Sequence, residues 1–271
     1  NAKYLSSLYN HNLIKQIIWY GIGIFIFIVS KCINTKNIFK YSFILYIISI
    51  ALLIYVLMFG KVINGAKAWI TIKGLSFQPS ELTKLSLAIM LSDLACKFKS
   101  TGIKSEFLFL LKVAILILIP SVLVFLEPDS GAIIFFLVIT LAILIFSDIH
   151  KFWFTIVFIL IALFIGGFIL LYLYNKDLLI SLIGTSFFYR VERLITFKTM
   201  SSYQLENALI AMGSSSLLGT GLGKVSLYIP EAPTDFIFAF SISNFGYLCG
   251  FIILLCYFLM DLFLINKIIN M

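Results

Sequence analysis

Seven apolar runs of roughly membrane-spanning length constrain what this chain can fold into: Leu13 to Ser30, Tyr41 to Phe59, Ser80 to Phe98, Phe107 to Leu126, Gly131 to Ser147, Phe152 to Tyr174 and Phe236 to Met260. About 20 apolar residues in a helix cross the ~30 Å hydrocarbon core of a bilayer. No water is available there to pair a backbone N–H or C=O, so a run of this kind must satisfy its own backbone as an α-helix. The expected fold is all-α: a polytopic transmembrane helix bundle, forming one integral membrane domain over residues 1–271. A long polar stretch at 175–235 is expected to be an extracytoplasmic loop holding short interfacial helices.

Composition agrees with that class. Hydrophobic residues make up 62% of the chain and charged residues only 12%, and the mean hydropathy of +1.10 lies far outside the soluble range. A net charge of +8 would point to nucleic acid in a soluble protein. Here the basic residues sit mostly in loops and near span ends, which assigns them to orientation and to anionic headgroups. Cys32, Cys96, Cys249 and Cys256 have no CxxC or metal spacing and read as small apolar side chains. His11 and His150 are too far apart for a shared metal or a Ser-His-Asp arrangement.

Alternating the spans places Lys31 to Lys40, Lys99 to Glu106, Asp148 to Lys151 and the C-terminal end on one face, called side B. Side A receives the N-terminal residues, Gly60 to Pro79, Glu127 to Ser130 and Asn175 to Asp235. With the long stretch set aside, side B carries nine lysines near its short loops and side A six, so side B leans cytoplasmic. Trp69, Glu81, Asp129, Arg190, Arg193 and Asp235 all map to side A, which predicts a shared site at the outer leaflet.

Each of these residues also has a plainer reading. Asp235 stands where an apolar run meets water, in Pro230-Glu231-Ala232-Pro233-Thr234-Asp235-Phe236-Ile237-Phe238, and is either a site carboxylate or a solvated helix start. Pro79 suits the first helical position and puts Glu81 in the first turn, near the positive end of the helix dipole. Lys84 follows at i+3, one turn deeper, and the pair is better explained as facing a polar cavity than lipid. Glu127-Pro128-Asp129 breaks one helix and starts the next, which is at least a capped turn. Arg190 and Arg193 share a face if their segment is helical and would suit a diphosphate, or else pair with Glu192 or headgroups. Gly219-Thr220-Gly221-Leu222-Gly223 follows no strand, so it reads as flexible backbone near a re-entrant loop and not as a nucleotide loop. Apolar periodicity from Tyr203 to Leu218 predicts a short helix at the interface.

Taken in order, Asn64-Gly65-Ala66-Lys67-Ala68-Trp69-Ile70, Leu75-Ser76-Phe77-Gln78-Pro79-Ser80-Glu81-Leu82, Glu127-Pro128-Asp129-Ser130-Gly131, Tyr189-Arg190 through Phe197, Tyr203-Gln204, Gly219 through Gly223 and Pro230-Glu231 through Phe238 carry a resemblance. The chain resembles the SEDS family of bacterial membrane glycosyltransferases, the FtsW, RodA and SpoVE group. Members have more spans than the seven here, which correspond to the second through the eighth, so the first helix and the last two are expected to be missing from this sequence. Ala68 stands where many members carry a second basic residue, and Ser243-Asn244 where an acidic pair is usual.

The resemblance implies a peptidoglycan glycosyltransferase that polymerises lipid II, an undecaprenyl-diphosphate-linked disaccharide-peptide, at the outer face of the bacterial cytoplasmic membrane, in elongation, division or sporulation. Asp235 is the expected base for the attacking sugar hydroxyl. Arg190, Arg193 and Lys67 are expected to meet the diphosphate, and Glu81, Lys84 and Asp129 to line a polar cavity, orienting substrate or holding a divalent cation such as Mg or Mn. Trp69 would lie against sugar or isoprenoid, or anchor the interface. A class B penicillin-binding transpeptidase is the implied partner, and no nucleic acid is. A precursor flippase and a non-catalytic scaffold for that transpeptidase are the competing readings.

Overall fold

The computed structural model describes residues 2–63, 66–72, 75–183, 188, 203–221, 229, 232 and 235–269. Every one of the seven expected runs is helical. In chain order the elements are α1 Ala2–Cys32, α2 Thr35–Lys40, α3 Ser42–Phe59, β1 Lys61–Ile63, β2 Ala66–Ile72, β3 Leu75–Phe77, α4 Pro79–Lys97, α5 Ile103–Leu126, α6 Ser130–Ile145, α7 Phe152–Tyr174, α8 Lys176–Ile183, α9 Tyr203–Gly213 and α10 Ile237–Ile269. Among the described residues five helices are long and apolar enough to cross a membrane, and the apolar part of α6, Gly131–Ile145, is shorter. The described residues divide into two compact units, 1–160 and 161–271.

In the first unit α4 is the organising element, packed against α3 and α6. It is also the most polar of the seven helical runs, with Glu81 and Lys84 near its start and Asp93 and Lys97 near its end. That polarity faces protein. Ser80, Thr83 and Ser86 are buried on α4, as are Ser42 and Ser49 on α3, and small residues let two membrane helices approach closely. Ser86 donates to Ser49 Oγ at 2.7 Å, and Ser42 donates to Asp93 Oδ2 at 3.1 Å. Tyr46, Leu53, Leu87, Leu91, Phe109 and Phe136 form the apolar core beside this seam.

The segment from Gly60 to Pro79 is not the plain loop the sequence suggested. Three short antiparallel strands occupy it in the order β1-β2-β3, with Lys61 opposite Trp69 and Ile70 opposite Phe77. β2 is rich in the aromatic and β-branched residues Trp69, Ile70, Thr71 and Ile72, which favour a pleated surface. The sheet caps the end of α3 and lies against the start of α4.

At the opposite end of the unit, α5 begins four residues earlier than its apolar run does, at Ile103, and so takes in Glu106. This carboxylate is fully buried. It accepts from Trp153 Nε1 at 2.7 Å, from the Ser100 hydroxyl and from the His150 backbone N–H, and pairs with the His150 ring. Asp148 adds a contact from the Ser100 N–H at 3.0 Å. Glu106 thereby ties the connection between α6 and α7 to the start of α5. Glu106→Ala strands the Trp153 donor without a partner and is expected to lower the melting temperature more than Glu106→Gln, which keeps an acceptor; thermal melts of the detergent-solubilised full-length protein check this.

In the second unit α9 packs on α10, with Ala208, Ala211 and Ala239 buried between them. The run 219–223, expected to be flexible, is pinned over its described part. α10 is broken at Gly246, whose φ of 85° and ψ of 176° are not helical. The break frees the carbonyls of Ser243 and Asn244 and the N–H groups of Tyr247 and Leu248. The turn after α9 takes up all four: Thr220 N–H reaches Ser243 O at 3.1 Å, Gly221 N–H reaches Asn244 O at 3.0 Å, and Tyr247 and Leu248 N–H reach Ser216 O and Leu217 O at 3.3 Å each. Non-helical backbone is tolerated at membrane depth where neighbouring chain replaces the lost hydrogen bonds in this way.

Candidate functional site

Among the described residues, Asp129 is the best-connected of the expected site residues. It caps α6, its Oδ1 accepting from Ala132 N–H at 3.3 Å. Its Oδ2 accepts from Gln78 Nε2 at 2.7 Å and from Ser80 Oγ at 3.2 Å. Two sequence motifs some 50 residues apart, Gln78-Pro79-Ser80-Glu81 and Glu127-Pro128-Asp129, are therefore one polar junction between the starts of α4 and α6. The capped turn read from the sequence is present and is also a tertiary clasp.

Glu81 and Lys84 form an ion pair at 2.7 Å, and the Lys84 ammonium also lies 4.6 Å from the centre of the Phe135 ring of α6. Lys84 is 19% exposed and Glu81 60% exposed, so the lysine is inserted between helices while the carboxylate reaches outward. Lys67 makes a contact within the first unit that its sequence context did not announce. Its ammonium donates to the carbonyls of Leu57 at 2.7 Å and Met58 at 3.0 Å, closing the C-terminal end of α3, where a cation meets the negative end of the helix dipole. Trp69 is half-buried on β2. Arg190 and Arg193 lie outside the described residues. Asp235 belongs to the second unit, its side chain exposed two residues ahead of α10.

Glu127 was not singled out by spacing. It is fully buried just past the end of α5, and neither carboxylate oxygen has a hydrogen-bond partner among the described residues. Burial pushes its carboxyl up to about 8, and the nearby Asp129 charge adds to the rise. The folded state therefore holds a proton that the unfolded chain gives up near 4.5. The energetic penalty for ionising is absent below that pH, grows as pH rises toward 8, and is constant above it. Each pH unit between the two values corresponds to about 1.4 kcal/mol, and screening near the water boundary trims the sum. Glu127→Gln is thus expected to stabilise the protein by on the order of 2 kcal/mol at pH 8 and by almost nothing at pH 4.5, which melting temperatures across that range measure.

Among the described residues no group of three or more His, Cys, Asp and Glu is placed to hold a metal ion. Asp129 is already occupied by three donors. The carboxylates expected to hold a cation, Asp129 and Glu81, are each engaged by protein donors, and no step is routed through a metal.

Buried polar helix seams, lipid-length apolar helices and a polar junction at the starts of α4 and α6 define a multi-pass membrane protein. The chain matches the family described as cell cycle protein, FTSW_RODA_SPOVE, over residues 1–270, and belongs to it. It is 32% identical over 266 residues to the probable peptidoglycan glycosyltransferase FtsW of Wigglesworthia glossinidia brevipalpis, covering 93% of this chain and 65% of that protein. It is 34% identical over 267 residues to the protein of the same name from Buchnera aphidicola subsp. Baizongia pistaciae, covering 94% and 66%. The chain thus spans about two thirds of the length of these curated relatives. A chain solved in a study of structural coordination of polymerization and crosslinking by a peptidoglycan synthase complex shares the fold, with a TM-score of 0.65 at 22% identity over 89% of this chain and 65% of that one.

Proposed function

We propose that the protein is a peptidoglycan glycosyltransferase that polymerises lipid II at the outer face of the bacterial cytoplasmic membrane. The observation that carries this reading is Asp235: an exposed carboxylate on the two residues leading into a long apolar helix, in a family whose relatives bear that activity in their names. A carboxylate held at the water boundary can take the proton from an acceptor sugar hydroxyl as its oxygen attacks the donor's anomeric carbon. The bond from that carbon to the lipid diphosphate breaks in the same displacement, with inversion, and the diphosphate leaves with the bonding electron pair.

Negative charge grows on the leaving diphosphate and calls for cations. Arg190 and Arg193 are assigned to it. Within the first unit, Lys84 is fixed by Glu81 and Phe135, and it is assigned to orienting substrate with a charge whose position is set beforehand. Asp129 orders the polar junction through Gln78 and Ser80. Lys67 is assigned to holding the end of α3. A class B penicillin-binding transpeptidase is the proposed partner, consistent with the synthase complex from which the chain of similar fold comes.

Purified full-length protein supplied with fluorescent lipid II is expected to yield long glycan strands resolvable on a gel. In vesicles it is expected not to move lipid II between leaflets. Translocation without polymer would replace this reading with transport, and neither activity, with a transpeptidase still bound, would replace it with a scaffold.

A further inference from the structure

Lys112 lies nine residues into the α5 span, about 14 Å along the helix from its start. It is exposed on the outer surface of the helix and has no carboxylate partner among the described residues. An uncompensated ammonium at that depth is costly in hydrocarbon and is ordinarily turned inward or paired. Side chains on a helix lean toward its N-terminus, which aims Lys112 back toward the face where α5 begins. There it borders a groove of about 370 Å³ between α4 and α5, lined by Leu94, Lys97, Phe98, Leu108, Phe109 and Lys112 among others.

The groove has two characters. Its floor is apolar, with Phe98 and Phe109 stacked 4.1 Å apart. Lys97 and Lys112 bring positive charge to it, and no carboxylate lines it. Lys97 does pair with Asp93 at 2.6 Å, but its side chain is 70% exposed, and Asp93 faces a neighbouring groove that also holds Lys36 and Lys40. The local balance on this face is four lysines against one aspartate, counted over the two groove linings.

An occupant must therefore be anionic at the membrane surface and apolar one headgroup deeper. We propose that this groove seats an anionic phospholipid, its phosphate between Lys97 and Lys112 and one acyl chain along Phe98, Leu108 and Phe109. Basic pockets between transmembrane helices are a recognised way of holding anionic headgroups. The lipid would supply the counter-charge that Lys112 lacks, and this inference is independent of the reaction proposed above.

The test is native mass spectrometry of the delipidated full-length protein titrated with phosphatidylglycerol and, separately, phosphatidylcholine. Wild type is expected to retain phosphatidylglycerol over phosphatidylcholine, and Lys112→Met to lose about fivefold of that preference. Lys112→Arg should keep it, as should Lys267→Gln, which lies outside the groove lining in the last turn of α10; both report that the protein remains folded. Equal retention of the two lipids by wild type, or an unchanged preference in Lys112→Met, overturns the proposal.

Discussion

Gly246→Ala is expected to leave little folded protein. At φ 85° and ψ 176° the backbone occupies a region essentially closed to residues with a Cβ, and an added Cβ would sit 2.1 Å from the Leu217 carbonyl oxygen and 2.5 Å from Gly219 N. Both obstacles are backbone, so no side-chain rotation relieves them. Gly219→Ala meets the same wall from the other side, with Asn244 O at 2.3 Å and its own φ at 76°. Relief in either variant requires the turn after α9 to withdraw from the break in α10. That withdrawal strands the carbonyls of Ser243 and Asn244 and the N–H groups of Tyr247 and Leu248, at a cost for unsatisfied groups in lipid of several kcal/mol apiece. A loss above about 4 kcal/mol is expected for each variant, seen as a collapse of the monodisperse peak when detergent extracts are run by size exclusion. Gly166→Ala, whose Cβ meets nothing within 4 Å on α7, is the control and should run as wild type.

That junction shows where sequence reading reaches and where it stops. Gly219 and Gly221 announce unusual backbone, but glycine marks conformational freedom and says nothing of what the backbone binds. The partner carbonyls lie on Ser243 and Asn244, more than 20 residues away, with no side-chain pattern to point to them. The membrane helices were legible because length and apolarity are local properties with a single structural solution in lipid. The small sheet at 61–77 was missed although β2 is rich in β-branched and aromatic residues; a search for 20-residue apolar runs passes over strands of three and seven residues.

Among the site residues, those explained by a helix start were readable and those explained by tertiary contact were not. Asp129 was recognisable as a cap, and Glu81 with Lys84 as an i, i+3 pair. Nothing local told that Gln78 and Ser80 would hold Asp129. Glu106 reads as the solvated end of a lysine-bearing loop. It is instead the most enclosed carboxylate of its face, because Ser100, His150 and Trp153 arrive from both sides of it in the chain. Lys67 reads as a candidate for anion binding, and nothing local told that its ammonium would also meet the carbonyls at the end of α3.

Asp235→Ala is expected to lower the polymerisation rate by about 10² to 10⁴-fold, the range ordinarily supplied by a positioned general base. Stability should be unaffected, since the side chain is exposed and surface substitutions seldom exceed half a kcal/mol. The comparison of Asp235→Asn with Asp235→Glu isolates the chemistry. Asparagine keeps the size and hydrogen-bonding capacity but cannot accept the proton, so it should be as inactive as alanine; glutamate keeps the base at a displaced position and should recover part of the rate. Lipid II binding is expected to persist in all three, because a proton acceptor acts in the transition state and contributes little to ground-state affinity. A rate within tenfold of wild type for Asp235→Asn would remove Asp235 from the reaction, and a parallel loss of binding in all three variants would recast it as a substrate contact.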